Sequence, residues 1–146
     1  MAFRGTFDHT LDAKNRLTVP ARYRSALADG VVLAMTIDQR PCVGMWRPDD
    51  YERYTERALA DQPPLSRARA ELERFVYGSS ADVDLDAAGR VMVPGFLSGH
   101  AGLEKDVVVV GVGDRLELWD RTQWNDHRPA LLGGVAELTS QSDHPA

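Results

Sequence analysis

Two arginines each stand four residues after an aspartate in nearly the same surroundings. They are Asp12 and Arg16 within LDAKNRLTVP (residues 11–20), and Asp86 and Arg90 within LDAAGRVMVP (residues 85–94). A guanidinium is a rigid planar fork that grips a phosphate, or the O6/N7 edge of guanine, through two parallel hydrogen bonds. An aspartate that opens a tight turn accepts hydrogen bonds from backbone N–H groups two or three residues further on. Positions 15 and 89 are Asn and Gly, the types that most readily take a left-handed backbone, as a short hairpin loop requires near its end. Asp12, Asn15, Asp86 and Gly89 are therefore read as turn-structuring residues. Arg16 and Arg90 are the candidates for chemistry. Pairing with the aspartate would hold each fork while leaving it donors to offer. A simple hairpin staple uses the same residues, but here the pattern L-D-x-x-[NG]-R-[LV]-x-V-P recurs within a wider repeat.

Other chemistries find little support. DVDLDAAGR (82–90) starts like a calcium loop, but the sixth position is Ala87 and the twelfth Val93, where that loop needs Gly and Glu. His9, His100, His127 and His144 show no metal spacing, and the single cysteine, Cys42, lies in an apolar run that reads as core. GVGD (111–114) lacks a P-loop lysine and reads as a hairpin turn. No nucleophile–base set stands out. The expectation is a non-enzyme with no catalytic residue, metal, cofactor or small-molecule substrate.

The motif sits in a duplication. Asp12 and Asp86, Arg16 and Arg90, Val19 and Val93, and Pro20 and Pro94 are all 74 apart. VVLAMTI (31–37) then answers VVVVGV (107–112), and CVGMW (42–46) answers RLELW (115–119). Two copies are too few for a solenoid, so a two-fold pseudo-symmetric body is expected. In each copy a strand, the turn and a second strand ended by proline lead to a short helix and then a strand pair. PARYRSALA is expected to be a helix and the glycine-rich PGFLSGHAG a poorer one. RPDDYERYTERALA predicts a helix closing the first copy. Past Pro63-Pro64, Ser66 is a cap for an amphipathic linker helix carrying Ala68, Leu72, Phe75 and Val76 on one face. The expected divisions are 3–58 (repeat 1), 59–80 (linker helix), 81–127 (repeat 2) and 128–146 (tail), whose polar end TSQSDHPA is expected to be disordered.

The formal net charge is −5 over 146 residues, which taken alone disfavours nucleic acid. The charge is uneven. Residues 1–60 hold nine Lys/Arg and eight Asp/Glu, whereas residues 81–146 hold five and eleven. Arg4, Lys14, Arg16, Arg22 and Arg24 cluster early, and local patches bind polyanions on acidic proteins. Lys14 at the loop tip suits a phosphate, and Arg22 and Arg24 either extend the strip or decorate a solvated face. The second turn has Ala88 in place of Lys14, with Asp82, Asp84 and Asp86 around Arg90, so toward a nucleic-acid partner the first repeat is expected to carry most of the affinity and the second to be mainly structural. No apolar run is long enough to span a bilayer, and MAFRGTFDHT has no apolar signal core. A cytoplasmic location is expected.

LDAKNRLTVPARYR and LDAAGRVMVP, as tandem D-x-x-x-R units with FRG (3–5) and GDRLELWD (113–120), resemble the MraZ family of bacterial transcriptional regulators from about Phe3 to Trp124. Asn15 departs from that family's usual glycine. The resemblance implies an α+β, mostly β fold: two AbrB-like βαββ-type repeats in a double-split, swapped-hairpin β-barrel with peripheral helices. It implies a sequence-specific regulator that binds double-stranded DNA at direct repeats upstream of the division and cell-wall operon, its own promoter included. It also implies a nucleoid-associated, ring-like homo-oligomer whose D-x-x-x-R arginines, here Arg16 and Arg90, contact DNA. The alternative is an oligomeric scaffold that docks partners through Trp46, Trp119 and Trp124. Core filling by Trp46 and Trp119 is the favoured reading of those tryptophans.

Overall fold

A computed structural model describes residues 2–142, so His144 and the last residues of the tail lie outside the described part. The described residues form eight strands: β1 (Thr6–Thr10), β2 (Arg16–Thr18), β3 (Val31–Ala34), β4 (Cys42–Trp46), β5 (Ser80–Val83), β6 (Arg90–Met92), β7 (Asp106–Gly111) and β8 (Leu116–Asp120). The helices are α1 (Pro48–Leu59), α2 (Arg67–Gly78), α3 (Gly95–Ala101) and α4 (Arg121–Ser142).

Six strands form one antiparallel sheet in the order β1-β7-β8-β4-β3-β5, and β2 pairs with β6 in a separate ribbon. The order is palindromic with respect to the repeats. The first strand of each copy leaves its own repeat and pairs with the third strand of the other, β1 with β7 and β5 with β3. The two copies thus share one core. They do not close into the expected barrel. β2 and β6 are three residues long, each ended by a proline that has no N–H to donate, and they pair with each other instead of sealing the sheet's edges. The strands flanking the first turn likewise make a single bridge, Leu11 to Leu17, before diverging. Helical residues also outnumber strand residues among those described, so the α+β class holds but "mostly β" does not.

Alternation in β4 and β8 gives the sheet two buried faces. Val43, Met45, Leu116 and Leu118 turn toward the ribbon and α3, meeting Leu17, Val19, Leu27, Val91, Val93 and Leu97 in the main core. Trp46 lies on the opposite face with Val32, Ala34 and Tyr51 of α1, and Trp119 lies there with Val108, Cys42 and Trp124 of α4. All three tryptophans are buried. Trp46 and Trp119 therefore fill two satellite cores, each under its own helix, and the tryptophan basis for a docking scaffold disappears.

The two short helices invert expectation. PARYRSALA makes only one 3-10 turn, Ala21–Tyr23, followed by further turns. Its N-cap residue, Pro20, supplies no side-chain bond, and Tyr23 is fixed from outside, its hydroxyl accepting from Arg4 N–H and donating to Arg4 C=O. PGFLSGHAG forms α3 despite its glycines, because Leu97 and Ala101 are buried one turn apart and Gly102, at φ 62°, ends the helix in the left-handed region. The linker helix α2 starts as expected, with Ser66 Oγ accepting from Arg69 N–H. On its proposed inner face Val76 is buried, Leu72 and Phe75 are half-buried and Ala68 is exposed. The polar end expected to be disordered is helical through Ser142.

Candidate nucleic-acid interface

Each turn is built by one carboxylate. Asp12 Oδ1 accepts from the backbone N–H of Lys14 and of Arg16, both at 2.9 Å, and its Oδ2 accepts from Arg16 Nε at 2.7 Å. Asp86 repeats the pattern with Ala88 N–H, Arg90 N–H and Arg90 Nε, all at 2.9 Å. Asn15 and Gly89 close the turns at φ 58° and 76°. The Arg N–H bond, then the guanidinium itself, holds each carboxyl below the usual carboxylate range. Both aspartates therefore stay ionised and keep their arginines oriented. With Nε taken, the Nη1/Nη2 end of each fork has no hydrogen bond among the described residues and remains for a ligand.

The ribbon puts the two forks on one surface. Leu17 pairs with Val91 at its centre, and both point into the core. By alternation the outer face carries Arg16, Thr18, Arg90 and Met92, with Arg16 opposite Met92 and Thr18 opposite Arg90. A pseudo-two-fold axis passes through the Leu17–Val91 pair, and Val19 N–H to Gly89 C=O matches Val93 N–H to Asn15 C=O across it. At ordinary sheet spacings the arginine positions are diagonal, roughly 8 Å apart at Cβ. Thr18 and Met92, which carry no charge to draw notice, share this face because the period-2 pattern around buried Leu17 and Val91 turns them outward.

The remaining cations divide. Lys14 is exposed at the first turn. Arg24 crosses to the second: its Nε donates to Val19 C=O at 3.0 Å, and its side chain lies so close over Gly89 that an added Cβ there would meet Arg24 Nε at 2.6 Å. Arg4 and Arg22 are not brought to the ribbon's turns. Arg4 lies before β1, at the opposite end of that strand from the turn, and Arg22 leans on the Phe7 and Tyr23 rings. Arg24 thus gives the second turn the cation that Ala88 omits. Asp82 lies in β5 opposite Val32, Asp84 approaches Gly30, and the ion-pair partner of Arg90 is Asp86. With Arg24 at the second turn, the missing lysine no longer separates the repeats, and the arginines are similarly exposed, 26% and 33% at the side chain.

A family model described as "MraZ protein, putative antitoxin-like" matches residues 2–74 and 76–130, one segment for each copy. Relatives named "Transcriptional regulator MraZ" include one from Legionella pneumophila (strain Corby), 37% identical over 140 residues and covering 94% of this chain and 91% of the relative. Another, from Lachnoclostridium phytofermentans, is 32% identical over 139 residues, covering 95% and 96%. A third, from a Nocardioides species, is 35% identical over 144 residues, covering 99% and 98%. These relatives carry the name of a regulator, not of an enzyme. With its duplicated D-x-x-x-R turns inside both matched segments, this chain belongs to the MraZ family.

Proposed function

We propose that the protein is a sequence-specific DNA-binding transcriptional regulator that engages duplex DNA through the outer face of the β2/β6 ribbon. The observation that carries the reading is the pair of guanidinium forks related by the pseudo-two-fold axis, each with Nε tied to an aspartate and its far end open. A two-stranded ribbon fits the major groove of B-DNA, where an arginine end can grip guanine or a phosphate. In this reading Arg16 and Arg90 contact bases or phosphates, Lys14 and Arg24 contact phosphates flanking them, and Asp12, Asn15, Asp86 and Gly89 shape the turns. Arg4 and Arg22 belong to a separate basic spot around Tyr23 and reach only DNA that extends past the ribbon.

One ribbon offers few cations, so affinity at moderate salt comes from several ribbons presented together, where linked contacts multiply. A ring-like homo-oligomer on direct repeats upstream of the division and cell-wall operon, including the protein's own promoter, supplies that arrangement in the cytoplasm at the nucleoid. The repeats, 3–58 and 81–127, act as one unit joined by the linker 59–80. Fluorescence-polarisation titration with duplex DNA tests the proposal. Salt-sensitive binding, with log K falling against log salt at a slope of roughly −5 for five or six phosphates, supports it. No binding at low salt returns the protein to the scaffold class.

A further inference from the structure

The ribbon's outer face contains two groups that the arginines do not account for. Met92 is 56% exposed on this face, directly opposite Arg16, and Thr18 is exposed opposite Arg90. Neither is part of the core, which takes Leu17 and Val91 from the same strands. Neither has a side-chain hydrogen bond among the described residues. A methionine here costs solubility and joins none of the apolar cores, so its role is sought in what the face touches.

Resting on the DNA reading above, we infer that Met92 and Thr18 are base-reading residues, each packing on the C5-methyl group of a thymine next to the base pair gripped by an arginine. Three features point this way. The four outer positions form a rectangle about 5 Å across the strands and about 7 Å along them, and two base-pair steps span about 7 Å along the duplex axis. Diagonal arginines then reach two base pairs, and because a ribbon following the groove lies oblique to the duplex axis, the corners level with them, about 5 Å to the side, fall on adjacent pairs. The thymine methyl is the one apolar group on the major-groove edge, and small or flexible apolar groups recognise it. Methionine, unbranched and polarisable, adapts to such a contact, and threonine brings a methyl of its own. Because 18 and 92 are equivalent under the repeat yet differ in type, the two halves of the face read similar but unequal steps.

The test uses the full-length protein and a pool of duplexes with a randomised core. The wild-type chain and Met92→Ser are each used to select sequences, and thymines in the wild-type-selected duplex are then replaced one at a time by deoxyuridine, which removes only the methyl group. Burial of one methyl predicts that one such replacement weakens wild-type binding about fourfold, while Met92→Ser binds the two duplexes alike. Thr18→Ser identifies the second position in the same way. Equal deoxyuridine penalties in wild type and Met92→Ser overturn the inference while leaving DNA binding intact. A Met92→Ser variant that changes the oligomer's size by sedimentation and not its base preference also overturns it, assigning Met92 to contacts between copies. Failure of the wild-type protein to retain any duplex at low salt overturns the DNA reading and this inference with it.

Discussion

The unequal residues at the two turns, Asn15 and Gly89, give a sharp test of how the repeats interlock. Both positions have a left-handed backbone, and asparagine tolerates it at 15. The obstacle at 89 is Arg24, whose side chain occupies the space a Cβ needs, 2.6 Å from Nε and 2.7 Å from Cδ. The counterpart of Arg24 at the repeat offset is Ser98, a short side chain bonded to Gly95 C=O. Gly89→Asn must therefore displace Arg24 and lose its charged bond to Val19 C=O. A hydrogen bond of that kind contributes about 1.5–3 kcal/mol when enclosed. Arg24 is only half-buried, so about 1–2 kcal/mol is expected here, plus roughly several tenths for holding a residue with a Cβ at φ 76°. At about 4 °C per kcal/mol for a chain of this size, Tm falls by roughly 6–10 °C. Combining Gly89→Asn with Arg24→Ser removes the collision, so the double variant is more stable than the sum of the single effects predicts, by about 1 kcal/mol. Thermal unfolding followed by circular dichroism reads all four proteins. Additive effects, or a Gly89→Asn protein as stable as the parent, refute the steric account.

Three further outcomes follow from the packing and electrostatics. Ser66→Ala removes the cap of α2 and costs about 1 kcal/mol, visible as roughly fivefold faster amide exchange in residues 67–78 if that helix opens locally. Leu17→Ala empties a fully buried site under the ribbon and costs about 2–5 kcal/mol, read as a lower Tm in the same melts. Asp12 and Asp86 have carboxyls held below their usual range, so the stability they contribute is present above the ordinary carboxylate value and lost as pH falls through the lowered one. Between about pH 5 and pH 2 the Asp12→Asn/Asp86→Asn variant therefore loses less stability than the wild type; parallel acid profiles contradict this.

The turn chemistry was legible because everything it uses lies within five residues. The carboxylate, the left-handed position and the arginine are fixed by local geometry, and the structure reproduces them at both copies. The β3–β4 pair and α1 were legible for the same reason: neighbours in sequence that are also neighbours in space. The strand exchange was not. β1 pairs with β7 a hundred residues away, and alternation within TFDHT says which face is buried but not which apolar run receives it. The helix inversion arose because glycine content misled where burial of Leu97 and Ala101 decides, and because Tyr23 ties its segment to Arg4. The reach of Arg24 across to Gly89 was invisible because it joins two repeats through a contact that neither carries alone. The helical run beyond Arg128 lacks a buried stripe and contains Pro129, so no pattern announced it.

The central claim is that DNA is held by the two forks of the β2/β6 ribbon, and salt-dependent titration of a duplex selected by the wild-type protein tests it most directly. Arg16→Ala and Arg90→Ala are compared with Arg74→Ala, a charge-matched change on α2 away from the ribbon, with sedimentation confirming an unchanged assembly. Comparable losses at Arg16 and Arg90, each at least tenfold as expected when a bidentate contact worth about 1–3 kcal/mol is removed from several linked ribbons, with Arg74→Ala near wild type, are the predicted result. Equal affinity in all four proteins contradicts the account.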